Sequence, residues 1–253
     1  LATLLLFLLG GEADAQQVFV VPSEPICQGC NIEVSRVVIL GGEHGEGYVD
    51  SPQDVSRVAD SYVLVNRSVP HEIRVFDSSG AFQRVVGRFG RGPGEFLHIW
   101  DLDATAGGTL SVLDIGNQRL TLFGPNFEEM GSARLIGRPM MDGFVGRPGG
   151  GFILNAPYPD GKGGAALLHR LDAEGRRLFS FLRSEEASPC GFSNPEGSLR
   201  IPAVSPDGSR VYVAYRESMT VEEWSVDGEL LATLAMSERS WEDFGFQPQT
   251  GYS

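Results

Sequence analysis

Few residues able to do chemistry stand in a useful spacing. Cys27 and Cys30 form a C-x-x-C pair, and Cys190 lies far along the chain. Such a pair suits a short disulfide, thiol–disulfide exchange or half of a zinc site. Zinc needs four ligands, and no His stands at partner spacing to the pair. In an oxidising compartment a disulfide is the expected use, Cys27 with Cys30 or either of them with Cys190, leaving one thiol over. His98 precedes Asp101 by three residues, and Asp103 follows. Imidazole and carboxylate are ligands for zinc or calcium, so a divalent cation is the one cofactor these residues would admit, and no other is called for. Asp101 and Asp103 are expected to alternate along a strand so that only one faces a channel, which leaves a paired-carboxylate site without support. The chain has no G-x-S-x-G elbow, no H-E-x-x-H and no phosphate-binding loop.

The elements that must position these groups follow from composition and pattern. The 253 residues carry 20 Lys plus Arg against 33 Asp plus Glu, a net charge of −13. Nucleic acid and anionic lipid surfaces draw on clustered cations, so neither is an expected partner. A hydrophobic share of 42% supports a buried core, and 33 Gly with 15 Pro suit many turns between short strands. Leu1 to Leu9 is apolar except for Thr3, and Ala13-Asp14-Ala15 gives an A-x-A pattern. That run is too short to span a bilayer and fits a signal peptide over residues 1–15, cut before Gln16. A basic n-region and an initial Met are absent, as if the first codons were missing. The mature chain is expected to be secreted, periplasmic or at the cell surface, without a stable membrane span.

Self-alignment gives a period near 48 residues. Four strand ends lead into Gly-, Asp- or Asn-bearing turns: Phe76 to Gly80, Phe123 to Phe127, Leu171 to Gly175 and Trp224 to Gly228, in steps of 47, 48 and 53. Before each lies a strand-like run, at Tyr62 to Val65, Leu110 to Leu113, Phe152 to Leu154 and Val211 to Tyr215. After each lies another, at Phe82 to Val86, Met130 to Leu135, Leu178 to Leu182 and Leu230 to Leu234. Three to four strands per period make a propeller blade. Val37 to Leu40, with Gly42 and Tyr48, matches Val85 to Arg88, with Gly90 and Phe96, at an offset of 48, and is expected to be a lone outer closing strand. Trp241 to Ser253 is expected to open a fifth blade. The domain reading is a signal peptide at 1–15, an N-terminal segment with C-x-x-C at 16–32 and an all-β propeller of four-stranded antiparallel blades at 33–253, incomplete at its C-terminus.

Gly90, Gly92, Gly94 and Phe96, followed by Leu110 to Asp114 and then Asn117, Arg119, Leu120 and Phe123, resemble an NHL-type repeat. Pro206-Asp207-Gly208 resembles the S-P-D-G turn of TolB-type and gluconolactonase-type propellers. The resemblance implies six blades, of which about four are present. The motif residues have structural roles as their first explanation: glycines for the inter-blade loop, Asp114 and Asn117 bracketing a turn, and Arg119 pairing with Asp114 or Asp101. Asp207 and Asp227 are expected in hairpin turns, and Phe76, Phe123, Phe179 and Trp224 in inter-blade core. Propeller ligands sit at the mouth of the central channel, so Asp54, His98, Asp101, Arg147 and Arg200 are the candidate binding residues, with His98 and Asp101 the metal ligands if there are any. His44, His71 and His169 are expected at turns or outer strands. Arg200 stands where the lactonase-type pattern has a metal-binding Asn, which counts against that chemistry. The first functional expectation is an exported non-catalytic propeller presenting a rigid ring face to a peptide, a glycan or a protein. The alternative is a metal-dependent lyase or lactonase-like enzyme working at the channel.

Overall fold

The computed structural model describes residues 17–21, 33–42, 44–105, 107–135, 143–148, 150–159, 164–184, 200–215 and 220–236. Four sheets, each a run of four consecutive antiparallel strands, form the blades of a propeller. Blade 1 is β2 (Pro52–Val58), β3 (Ser61–Asn66), β4 (Ile73–Phe76) and β5 (Phe82–Val86). Blade 2 is β8 (Ile99–Ala104), β9 (Leu110–Asp114), β10 (Arg119–Phe123) and β11 (Glu129–Arg134). Blade 3 is β12 (Phe144–Gly146), β13 (Phe152–Pro159), β14 (Ala165–Leu171) and β15 (Arg177–Ser184). Blade 4 is β16 (Arg200–Val204), β17 (Arg210–Tyr215), β18 (Thr220–Ser225) and β19 (Leu230–Met236). The repeat anchors Phe76, Phe123, Leu171 and Trp224 all sit at or beside the end of a blade's third strand. No helix occurs among the described residues, and none is long and apolar enough to cross a membrane.

Burial follows position within each blade. Every residue of β9 is buried, while the fourth strands β5 and β11 are mostly exposed. A second strand is covered on both faces by the neighbouring blades, so it reads as a continuous apolar run, and the outer strands are polar. Three apolar clusters fill the gaps between successive blades. Phe96, Ile99 and Phe123 join blade 1 residues in the first, Leu113, Phe144 and Phe152 meet in the second, and Ile153, Phe181 and Val211 meet in the third. Phe179 and Trp224 pack against the third cluster while partly exposed.

Two placements of elements depart from the sequence reading. Val37 to Leu40 forms no strand. It runs past the Asp77–Gly80 turn with Val34, Val37 and Ile39 exposed, and among the described residues no neighbouring ladder receives its backbone. The N-terminal strand is instead β1 (Gln17–Val21), which adds to blade 4 by pairing parallel with β19. The offset of 48 nevertheless holds locally: Gly42 bridges Tyr48 in parallel, as β6 (Arg88–Phe89) pairs in parallel with β7 (Glu95–Phe96). His169 lies within β14 and is 2% exposed, so it belongs to the blade interior and not to a turn or an outer strand. The signal-peptide residues, Cys27, Cys30, Cys190 and Trp241 to Ser253 lie outside the described residues.

Candidate functional site at the innermost strands

Among the described residues the first strand of each blade has one edge with no strand beside it, and its backbone groups need partners. In β2 the ladder slips at Gln53, and in β8 it slips at the equivalent Trp100. A bulge re-aims the side chains that follow it, here Asp54 and Asp101, which occupy matching registers opposite Val65 and Leu113. Asp54 Oδ2 accepts the Leu102 N–H of blade 2. Gln53 Nε2 donates to the carbonyls of Ile99 and Trp100, at 3.2 and 2.7 Å. One blade on, Asp101 Oδ2 accepts the Phe144 N–H at 3.0 Å, and Asp103 Oδ2 accepts the Gly146 N–H. Arg147 Nη2 continues the series, donating to Gly208 O of blade 4 at 3.1 Å. Blades 1, 2 and 3 are thus each tied to the next by side chains that bond its backbone groups.

These contacts correct the expectation that Asp101 and Asp103 face opposite ways. Residues two apart on a strand share a face, and both carboxylates reach the same neighbouring strand. Glycines make the room. Gly143 has φ +79°, and a Cβ there would collide with the Asp101 carboxylate; a Cβ on Gly146 would meet Asp103 Oδ2 at 2.9 Å. Asp103, Gly143 and Gly146 were missing from the sequence-based candidates, although the Asp-x-Asp spacing was a usable signal.

The electrostatics follow from crowding. Burial pushes the Asp101 carboxyl up to about 8, and a hydrogen bond from Asp101 to Asp54 with repulsion from Asp54 adds to it. Asp103 is also raised, first by burial and further by Asp54, although the Gly146 N–H works against it. A carboxyl near 8 holds its proton at neutral pH, so Asp54 and Asp101 share a hydrogen bond instead of offering two charges. Among the described residues no group of three or more His, Cys, Asp or Glu is arranged to hold a metal ion.

The other candidates lie apart from this cluster. His98 stands just before β8; its N–H donates to Asp114 at 3.0 Å, and its ring packs on Trp100 with centroids 5.7 Å apart. Arg147 follows β12 and so lies toward the opposite end of the inner strands from His98. Arg200 begins β16, paired with Tyr215. The structure therefore brings Asp54, Asp101 and Asp103 together and leaves His98 and Arg147 at different ends.

The motif residues form their own unit. Asp114 is fully buried and accepts the N–H groups of Leu97, His98, Gly116 and Asn117 at 3.0–3.1 Å, together with Asn117 Nδ2 at 2.7 Å. Asn117 Nδ2 also reaches Gly90 O at 3.0 Å. The expected pairing of Arg119 with Asp114 or Asp101 does not occur among the described residues. Its guanidinium donates to the carbonyls of Arg91, Gly92 and Glu95, so its charge is spent on the bend of the Gly90–Phe96 loop. Gly94 has φ +63°, and Glu95 Oε2 accepts the Gly92 N–H at 2.7 Å, closing the loop on itself. Phe96 plugs the first inter-blade cluster with no exposure. The position of Asp114 recurs as Asn66 and Asn155, both 2% exposed. In the S-P-D-G turn, Asp207 accepts Ser205 Oγ, Ser209 N–H and Ser209 Oγ, which holds its carboxylate down at about 2.

Comparison with known proteins places the fold and goes no further. A family described as 6-bladed beta-propeller matches residues 46–128, from just before blade 1 to the threshold of β11. No protein of curated function matches the sequence. Among solved structures, a Bacteroides fragilis NCTC 9343 protein inferred to be exported is similar at 15% identity and a TM-score of 0.63, over 87% of this chain and 60% of that one. Kuenenia stuttgartiensis hydrazine synthase is similar at 14% identity and 0.53, over 80% and 54%. The β-propeller domain of Myceliophteria thermophila Cps50 (Swd1) is similar at 12% and 0.51, over 75% and 56%. The chain thus spans about 60% or less of the length of each.

Proposed function

We propose that the chain is an exported, non-catalytic binding propeller of NHL or TolB-like type that offers a rigid ring face to a peptide, a glycan or a partner protein. The observation that carries this reading is the use made of the inner-rim carboxylates. Asp54, Asp101 and Asp103 each spend an oxygen on a backbone N–H of the next blade. That arrangement stiffens a ring, and a stiff scaffold with variable loops is the physical basis of recognition surfaces. Export is supported by the apolar run at Leu1–Leu9 with Ala13-Asp14-Ala15, and agrees with the inferred export of the Bacteroides fragilis protein.

The competing reading is a metal-assisted lyase or lactonase-like enzyme using His98 and Asp101. The raised carboxyl of Asp101 is the feature that favours it, since perturbed acids gather at active sites. Metal analysis and melting of the purified full chain separate the two. Binding to members of a glycan array or a peptide library, with no stoichiometric ion and a melt indifferent to EDTA, is the expected result. About one divalent ion per chain with a melt lowered by EDTA would establish the metal site and overturn the reading, because a ligand bound only by the native state stabilises it. Intact mass of the exported protein should place its first residue at Gln16.

A further inference from the structure

On the flank of the ring, between the outer strand of blade 2 and the β14–β15 turn of blade 3, lies a cleft of about 580 Å³. That volume falls in the range of small-molecule sites. Its floor is apolar, made by the buried Leu135, Leu154 and Leu171. Its charged lining consists of Arg134, Arg176, Arg177 and Glu174, a cationic balance on a chain of net charge −13.

The one lining carboxylate is already committed. Arg176 holds Glu174 at 3.1 Å and Asp172 at 2.7 Å. Among the described residues neither Arg134 nor Arg177 meets a carboxylate. Arg177 is nevertheless held in place, with its guanidinium 4.4 Å from the centre of the Tyr158 ring. Tyr158 in turn meets the edge of His169 at 6.2 Å and 86°. His169 is fixed on both sides, Nε2 2.6 Å from Ala156 O and Nδ1 2.7 Å from Ser180 Oγ. A carbonyl can only accept, so Nε2 carries the proton and Nδ1 accepts from the Ser180 hydroxyl. Burial lowers the His169 pKa, and the charge of Arg177 lowers it further. A stacked guanidinium has its face covered and its edge N–H groups free, the geometry that forks a carboxylate.

We propose that this cleft binds a small organic carboxylate, its acid group held by Arg177 and Arg134 and its apolar body lying on Leu135, Leu154 and Leu171. The site is separate from the ring faces, so its fate leaves the reading above untouched.

Calorimetric titration of the full chain with 4-phenylbutyrate and with its uncharged isostere 4-phenylbutanamide tests the assignment. The acid should give a saturable isotherm and bind at least about tenfold more tightly than the amide, as expected of charge-assisted hydrogen bonds. Arg177→Gln and Arg134→Gln should each weaken the acid by about tenfold or more and leave amide binding and the melt unchanged. Arg177→Lys should fall between, keeping the charge and losing the fork. Equal binding of acid and amide, absence of a saturable isotherm for the acid, or a Gln variant that titrates like the unsubstituted chain would overturn it. If a variant fails to fold, the acid and amide on the unsubstituted chain decide.

Discussion

The seam between blades 1 and 2 and the seam between blades 2 and 3 close in different ways. In the first, the Gly90–Phe96 loop drives Phe96 into the apolar cluster, Arg119 grips the loop's carbonyls, and Asp114 gathers four backbone N–H groups and one side-chain donor. In the second, leucines and the Phe144–Phe152 pair fill the inner half, while the outer half leaves the 580 Å³ cleft. The sequence joining those blades, Ile136-Gly137-Arg138-Pro139-Met140, lacks the repeated glycine pattern. A dense motif here measures how completely a seam satisfies its own backbone. Space for a ligand occurs where the repeat has drifted.

That contrast can be broken at its strongest point first. Asp114→Ala removes the acceptor for five donors at a fully buried site and should cost about 4 kcal/mol, measured by denaturant titration, or prevent folding. Gly143→Ala attacks the second seam from the inside. It forces a Cβ onto φ +79° and against the Asp101 carboxylate, for a loss of about 2–3 kcal/mol. Arg119→Ala frees three loop carbonyls and should cost about 2 kcal/mol, with Arg119→Lys recovering little because an ammonium cannot span them. If Arg119→Ala were harmless, the motif would not be what closes the first seam.

A pH dependence tests the inner rim of the second seam. Asp101 sits at about 8 in the folded chain against an ordinary value near 3.8. Its contribution to stability is therefore fully present below pH about 4 and lost as pH rises through about 8, and Asp103 acts in the same direction. Melting followed from pH 5 to pH 9 should show this decline. Asp101→Asn keeps an oxygen for the Phe144 N–H and an amide donor for Asp54, so it should flatten the curve and melt higher than the unsubstituted chain at pH 9. An unchanged slope would remove the Asp54–Asp101 pair as its cause.

The blade count and strand order were legible because apolar runs and turn residues are local signals repeated four times. Phe76, Phe123, Leu171 and Trp224 stand where the period put them. Val37 to Leu40 had the right side chains for a strand, but pairing depends on a neighbour, and that edge position belongs to β1 in another blade. Asp54 and Asp101 were found as candidates; Asp103 was lost to a misjudged alternation, and the bulges at Gln53 and Trp100 that aim these side chains leave no mark in a single sequence. Arg134 and Arg177 stand in different repeats, and only packing of two blades puts them around one cleft.

The pairing of β1 with β19 has a consequence in time. Gln17 finds Ala232 only after roughly two hundred intervening residues have been made and arranged. Blades 1 to 3 have all their strands from consecutive sequence and can form as synthesis proceeds. The first strand must wait for the fourth blade, holding five residues of unpaired backbone in the meantime. Among the described strands this pairing joins the first in sequence to the last, and anything that occupies β1 before β19 emerges would delay that pairing without touching the blades already built.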